Sequence, residues 1–76
     1  MIFDFSRLRG RIVEKYGTCD SFAAAMNHSK VWLSSRLNNL VQWRADEMRA
    51  AAALLDIPPE EIPAYFLNPK VPLFGT

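Results

Sequence analysis

Residues 18–39, TCDSFAAAMNHSKVWLSSRLNN, constrain the fold of this chain more than any other stretch. Thr18 is a helix-capping residue placed just ahead of the apolar pair Phe22-Ala23 and of Met26. Asn27-His28 then interrupts the helical period, Ser29 offers a second cap, and Leu33 and Leu37 recur at helical spacing. The small side chain of Ala23 lets one helix cross closely over the next. Asn27 supplies a turn residue that tolerates left-handed backbone angles. Two short helices joined by a tight turn follow from this order, the arrangement a helix-turn-helix requires.

The flanking sequence adds three more helices. Phe5, Leu8, Ile12 and Tyr16 share one face of a helix predicted from about Phe5 or Ser6 to Tyr16, with Gly17 as its C-terminal cap. The second helix is predicted over Cys19–Met26 and the third from Lys30 to about Leu37, closed by Asn38-Asn39. Asp46–Leu55 forms the fourth, with Met48, Ala51, Ala52 and Leu55 inward. Pro58-Pro59-Glu60-Glu61 is a helix start signal, since proline suits the first turn and carboxylates favour the positive dipole end. The fifth helix then covers roughly Pro59 to Phe66, shortened or distorted by Pro63. Residues 67–76, LNPKVPLFGT, hold two prolines and no period and read as an extended tail. The expected architecture is all-α: a compact five-helix bundle over residues 1–66, followed by the 67–76 tail.

Seventy-six residues lie near the lower size limit for a core that folds without staples. Cys19 is the sole cysteine and His28 the sole histidine, so no internal disulfide and no self-contained Cys/His zinc site can form. These two residues fall on a helix start and a turn with no orienting acid, and three scattered glycines make no phosphate cradle. Neither catalysis nor a cofactor is expected. No apolar stretch approaches the roughly 18 residues of a membrane span and no signal-peptide pattern opens the chain. A cytoplasmic location in a bacterial or phage-infected cell is therefore expected, with no membrane partner and no small-molecule ligand.

Net charge is +1, but it is divided unevenly. Residues 1–45 carry Arg7, Arg9, Arg11, Lys15, Lys30, Arg36 and Arg44 against Asp4, Glu14 and Asp20, a net of +4. Residues 46–76 carry Arg49 and Lys70 against Asp46, Glu47, Asp56, Glu60 and Glu61, a net of −3. A molecule with one basic end can present that end to phosphate.

FDFSRLRGRI near the start, FAAAMNHS and LSSRLNN in the middle, and W…DEM…LLDIP…EEI..YF toward the end resemble the Cro/repressor-type (xenobiotic-response-element-like) helix-turn-helix family. The likeness spans residues 2–66 and is nearest to small single-domain phage repressor-like proteins of Gram-positive bacteria and their prophages. It implies a lambda-repressor-like five-helix fold, a recognition helix over about residues 30–37 in the major groove, and a double-stranded DNA operator bound by a homodimer. Five positions depart from that pattern. Cys19 stands where many relatives have a phosphate-contacting Gln, leaving its backbone N–H to serve. Ile12 and Leu37 replace a paired Arg and Glu, exchanging an ion pair for packing. Asn27 and Asn39 stand where Gly is common.

On a helix starting at Lys30, Leu33 and Leu37 fall together toward the core, and Lys30, Val31, Ser34, Ser35 and Asn38 gather on another side. Lys30, Val31, Ser34 and Ser35 are the candidates for base contact: Lys30 toward guanine, Val31 toward a thymine methyl, the serines toward a base edge or phosphate. Candidates for the DNA backbone are Thr18, Cys19, Ser29, Trp32, Arg36, Asn38 and Arg44. Trp32 and Arg36 sit one turn apart as a cation–π pair, with Trp32 either against sugar-phosphate or over the edge of the core. Trp43 reads as core, and His28 as a partly buried neutral side chain. Arg7, Arg11 and Lys15 read as a solvated outer face, and Arg9 as a cap or the partner of an acid. Tyr65, Phe66, Leu67, Val71, Leu73 and Phe74 offer apolar area for self-association. The alternative function is a helix-turn-helix bundle reused to bind protein, as in antirepressors or antitoxins.

Overall fold

The first four helices each run out into a residue of positive φ, Gly17, Asn27, Asn39 and Asp56, and those stops set where the next helix begins. The computed structural model describes residues 2–70. It places α1 at Ser6–Tyr16, α2 at Cys19–Ala25, α3 at Lys30–Leu37, α4 at Ala45–Leu54 and α5 at Ile62–Phe66. A 3-10 turn, Pro59–Glu61, leads into α5. The expected single helix over 59–66 is thus split, because Pro63 has no N–H with which to continue the helical ladder.

Asp4 starts α1 by accepting the Ser6 N–H at 2.9 Å. That hydrogen bond holds the Asp4 carboxyl below its usual range. Gly17 closes the helix at φ +81°, its N–H donating to Val13 O. Thr18 and Ser29 cap α2 and α3, their hydroxyl oxygens accepting the N–H groups of Ser21 and Trp32 at 3.1 Å. Asn27 makes the α2–α3 turn at φ +65°, while His28 N–H returns to Ala23 O.

The bundle closes on an entirely apolar interior. Phe5, Leu8 and Ile12 of the first helical segment meet Phe22 and Ala23, Leu33 and Leu37, Ala51, Ala52 and Leu55, and Phe66. Ile12 and Leu37 are both buried in this interior. Trp43 is core as expected and makes edge-to-face contacts with Phe66 and Trp32. Among the described residues no helix is long and apolar enough to cross a membrane.

Three basic residues of α1 have more structural work than a solvated face allows. Arg11 donates to Leu55 O at 2.8 Å and Asp56 O at 3.3 Å, covering the carbonyl end of α4. Lys15 pairs with Asp56, and Arg7 lies over the Tyr65 ring at 4.7 Å. Helix C-termini leave carbonyls unpaired and carry partial negative charge, so they draw in neighbouring guanidinium groups. Arg9 does the same for α3, donating from Nη2 to Leu37 O and to Asn38 Oδ1.

The start of the C-terminal segment is tied down rather than free. Asp4 N–H donates to Asn68 O and Lys70 N–H to Ile2 O, flanking an antiparallel bridge between Phe3 and Pro69. On its other side Phe3 is held by Asn39, whose Oδ1 accepts the Phe3 N–H and whose Nδ2 donates to Phe3 O. The proposed association residues Val71, Leu73 and Phe74 lie outside the described residues.

Candidate functional site

The helix-turn-helix geometry presents one side of α3 outward, flanked by the start of α2. Leu33 and Leu37 turn inward and are buried, which leaves Lys30, Val31 and Ser34 exposed. Val31 is 72% exposed, an unusual position for an aliphatic side chain with no partner. Beyond the helix end, Leu40 is 78% exposed. Between these elements lies an open groove of about 480 Å³, lined by Cys19 and Asp20 of α2, Lys30, Val31 and Ser34 of α3, and Leu40. Arg9 reaches the same groove from α1.

The predicted base-contact set is therefore largely together, but it is uneven. Lys30, Val31 and Ser34 share the exposed face. Ser35 is half-buried and its hydroxyl donates to Trp32 O at 2.8 Å, which uses its proton within the helix. Of the backbone-contact set, Thr18 and Ser29 spend one acceptor each on capping. Cys19 is half-buried in the groove wall. Asn38 accepts from Arg9 and donates to Ser34 Oγ.

Arg36 is engaged within its own chain. Its Nε and Nη2 donate to the two carboxylate oxygens of Glu47 at 3.0 and 3.1 Å, and the two side chains are only 11% and 13% exposed. The guanidinium also lies over the Trp32 ring at 4.1 Å. Glu47 in turn accepts the Arg44 N–H at the start of α4, so one carboxylate both caps α4 and locks it to α3. Burial pushes the Glu47 carboxyl upward, but the hydrogen bonds from Arg36 and from the Arg44 N–H, with the Arg36 charge, outweigh it and hold the pKa below the ordinary value. A forked, shielded pair of this kind does not open for an exposed phosphate at little cost.

Trp32 covers the core edge through Trp43 rather than standing free at a groove wall. His28 is exposed, not partly buried, and stacks face to face on Trp32 at 3.8 Å. The turn at Asn27 throws the residue-28 side chain outward, one helical turn from residue 32, where the indole face receives it. Arg44 is largely exposed and near Asp46 at 3.4 Å. Side-chain charge on the outer α3 face thus comes down to Lys30.

Asp20, Leu40 and Arg9 were not legible as site residues. Each joins the groove only through the packing of α1, α2 and α3, which no local pattern marks.

The family model described as a protein of unknown function, DUF739, matches residues 1–69. The chain belongs to the DUF739 family. Among solved structures, the chain is similar to the solution structure of the modulator of repression (MOR) of the temperate bacteriophage TP901-1 from Lactococcus lactis. Identity is 44%, with 95% of this chain and 97% of that chain covered and a TM-score of 0.80. Among curated proteins none is significantly similar to the chain. The all-helical, five-helix fold is therefore shared with a small phage protein that modulates repression.

Proposed function

We propose that this protein regulates a phage repressor by binding it as a protein, using the outer face of α3 and the adjoining groove. The observation that carries this reading is the chemistry of that face. Val31 and Leu40 are the most exposed large apolar side chains among the described residues, while Arg36, the guanidinium of α3 itself, is engaged by Glu47. A surface that offers Lys30 and Arg9 against Asp20 and displays two aliphatic residues suits apolar burial more than counterion release. The 44% identity to a modulator of repression supports the same reading.

Direct operator binding is the second reading. It rests on the capped start of α3, where the Lys30 and Val31 N–H groups point out at a positive dipole end beside the Lys30 side chain. In that case Lys30, Val31, Ser34 and Ser35 meet base edges and a homodimer spans two half-sites.

The two readings separate in one experiment. The purified chain is mixed with the repressor encoded by the same genome, and separately with that repressor's operator duplex, at low and high salt. A protein complex that survives high salt, with no shift of the duplex by the chain alone, supports the proposal. A steeply salt-dependent complex with duplex alone supports the second reading.

A further inference from the structure

We infer that the groove between the start of α2 and the outer face of α3 takes an amphipathic helix whose apolar ridge is flanked by carboxylates. This rests on the reading of the α3 face as a protein-binding surface, and names the chemistry of the segment that seats there.

The first argument is charge. Of the basic side chains described, Arg11, Lys15, Arg36 and Arg44 each lie within 4.0 Å of a carboxylate of their own chain. Arg7, Arg9, Lys30, Arg49 and Lys70 have no such partner among the described residues, and of these Lys30 and Arg9 lie together on this groove. Arg9 is exposed, and only its Nη2 is engaged, by the end of α3. Its Nε–H and Nη1 donors remain for an incoming acceptor. Asp20 is the single acid on the groove and is likewise unpaired. Two cations and one anion around an apolar floor of Leu33 and Leu37 ask for an occupant with more carboxylates than basic groups.

The second argument is the state of the groove's backbone. The carbonyls at the end of α3 are already paired: Ser34 O with Asn38 N–H, Ser35 O with Leu40 N–H, Arg36 O with Asn39 N–H and Leu37 O with Arg9. The walls are helices and present no row of open peptide groups for an extended strand to join. An occupant must bring its own backbone hydrogen bonds satisfied, which a helix does. Duplex DNA is the poorer fit. Its grooves offer Val31 and Leu40 little beyond thymine methyl groups, whereas a helix ridge buries both.

The test is a selection from displayed helical peptides of about 20 residues, with Leu, Ile or Phe fixed along one ridge and the flanking positions drawn from Asp, Glu, Lys, Arg and Ser. The wild-type chain is expected to enrich Asp and Glu flanks. The winning peptide, followed by fluorescence anisotropy, should bind Lys30→Glu at least about tenfold more weakly and Asp20→Lys more tightly. Neither Lys30 nor Asp20 makes a side-chain hydrogen bond or ion pair among the described residues, so both variants should fold. Neutral or basic winners, no enrichment of any helix, or displacement of the peptide by a random duplex in preference to free acidic peptide would each overturn the inference. Repressor that binds wild type and Lys30→Glu equally well would reject this groove chemistry while leaving repressor binding intact. Acidic helices selected on a chain that no repressor binds would support the groove and reject the repressor reading.

Discussion

Asn39 performs two tasks that substitution can separate. Its backbone sits at φ +63°, and its carboxamide satisfies both the N–H and the C=O of Phe3 at 2.9 and 3.0 Å. Replacing it by alanine removes two partly buried hydrogen bonds, together about 1–3 kcal/mol. It also leaves a Cβ-bearing residue without asparagine's tolerance at a left-handed position, about 1 kcal/mol more. Asn39→Gly loses the same hydrogen bonds but relieves the backbone, at an added unfolded-state cost of about 0.5–1 kcal/mol. Both variants therefore lose about 3 kcal/mol, with Gly the milder by no more than about 0.5 kcal/mol. In a domain of this size each kcal/mol shifts Tm by about 4–8 °C. Urea denaturation followed by the fluorescence of buried Trp43, together with thermal melts, measures both variants. If Ala is clearly the milder of the two, the left-handed strain at position 39 is refuted. If both are harmless, the Asn39 clamp on Phe3 contributes nothing to stability.

The remaining predictions concern the other special positions. Gly10 lies exposed within α1 and Gly17 closes it at φ +81°, and a Cβ at either would meet nothing within 4 Å. Gly10→Ala should therefore raise stability by up to about 1 kcal/mol, whereas Gly17→Ala should lower it by about 1–2 kcal/mol, both read from Tm. Arg36→Met should destabilise by about 3 kcal/mol, because Glu47 is left shielded without its cation, and Glu47→Leu added to it should recover part of the loss. The Glu47 pKa is depressed in the folded state, so its stabilisation is complete above the ordinary carboxylate pKa and disappears as pH falls through the lower folded value. Denaturation midpoints should drop progressively below about pH 5. Glu47→Gln should lie below wild type at pH 7 and converge with it in acid.

The bundle was legible in the sequence wherever a short-range signal decided the outcome. Thr18 and Ser29 act through hydroxyls on N–H groups three residues on, and Gly17 and Asn27 through their own φ, so the boundaries of α1, α2 and α3 follow from residue type and hydrophobic period. Pro63 likewise announced a distorted last helix. Contacts between distant residues were not legible. The pairing of Arg36 with Glu47 bridges 11 positions and that of Arg11 with Leu55 O bridges 44, and nothing local marks either. Asp56 adopts φ +55° at the end of α4, a role hidden by its ordinary surroundings in sequence and supported by Lys15 from α1. The same limit applied to the site. Lys30, Val31 and Ser34 could be placed on one face by helical period alone. Arg9 and Asp20 join that groove only through the crossing of α1, α2 and α3. The pairing of Arg36 was hidden because its partner, Glu47, lies on another helix.

The central claim is that the α3 face engages a repressor protein. Amide chemical-shift mapping of the isotope-labelled chain, titrated with the repressor encoded by the same genome, tests it most directly. The expected result is a contiguous footprint on Lys30, Val31, Ser34 and Leu40, with Arg49 and Ala53 on α4 unmoved. A footprint centred on α4, or shifts at Lys30 produced by operator duplex and not by repressor, would contradict it.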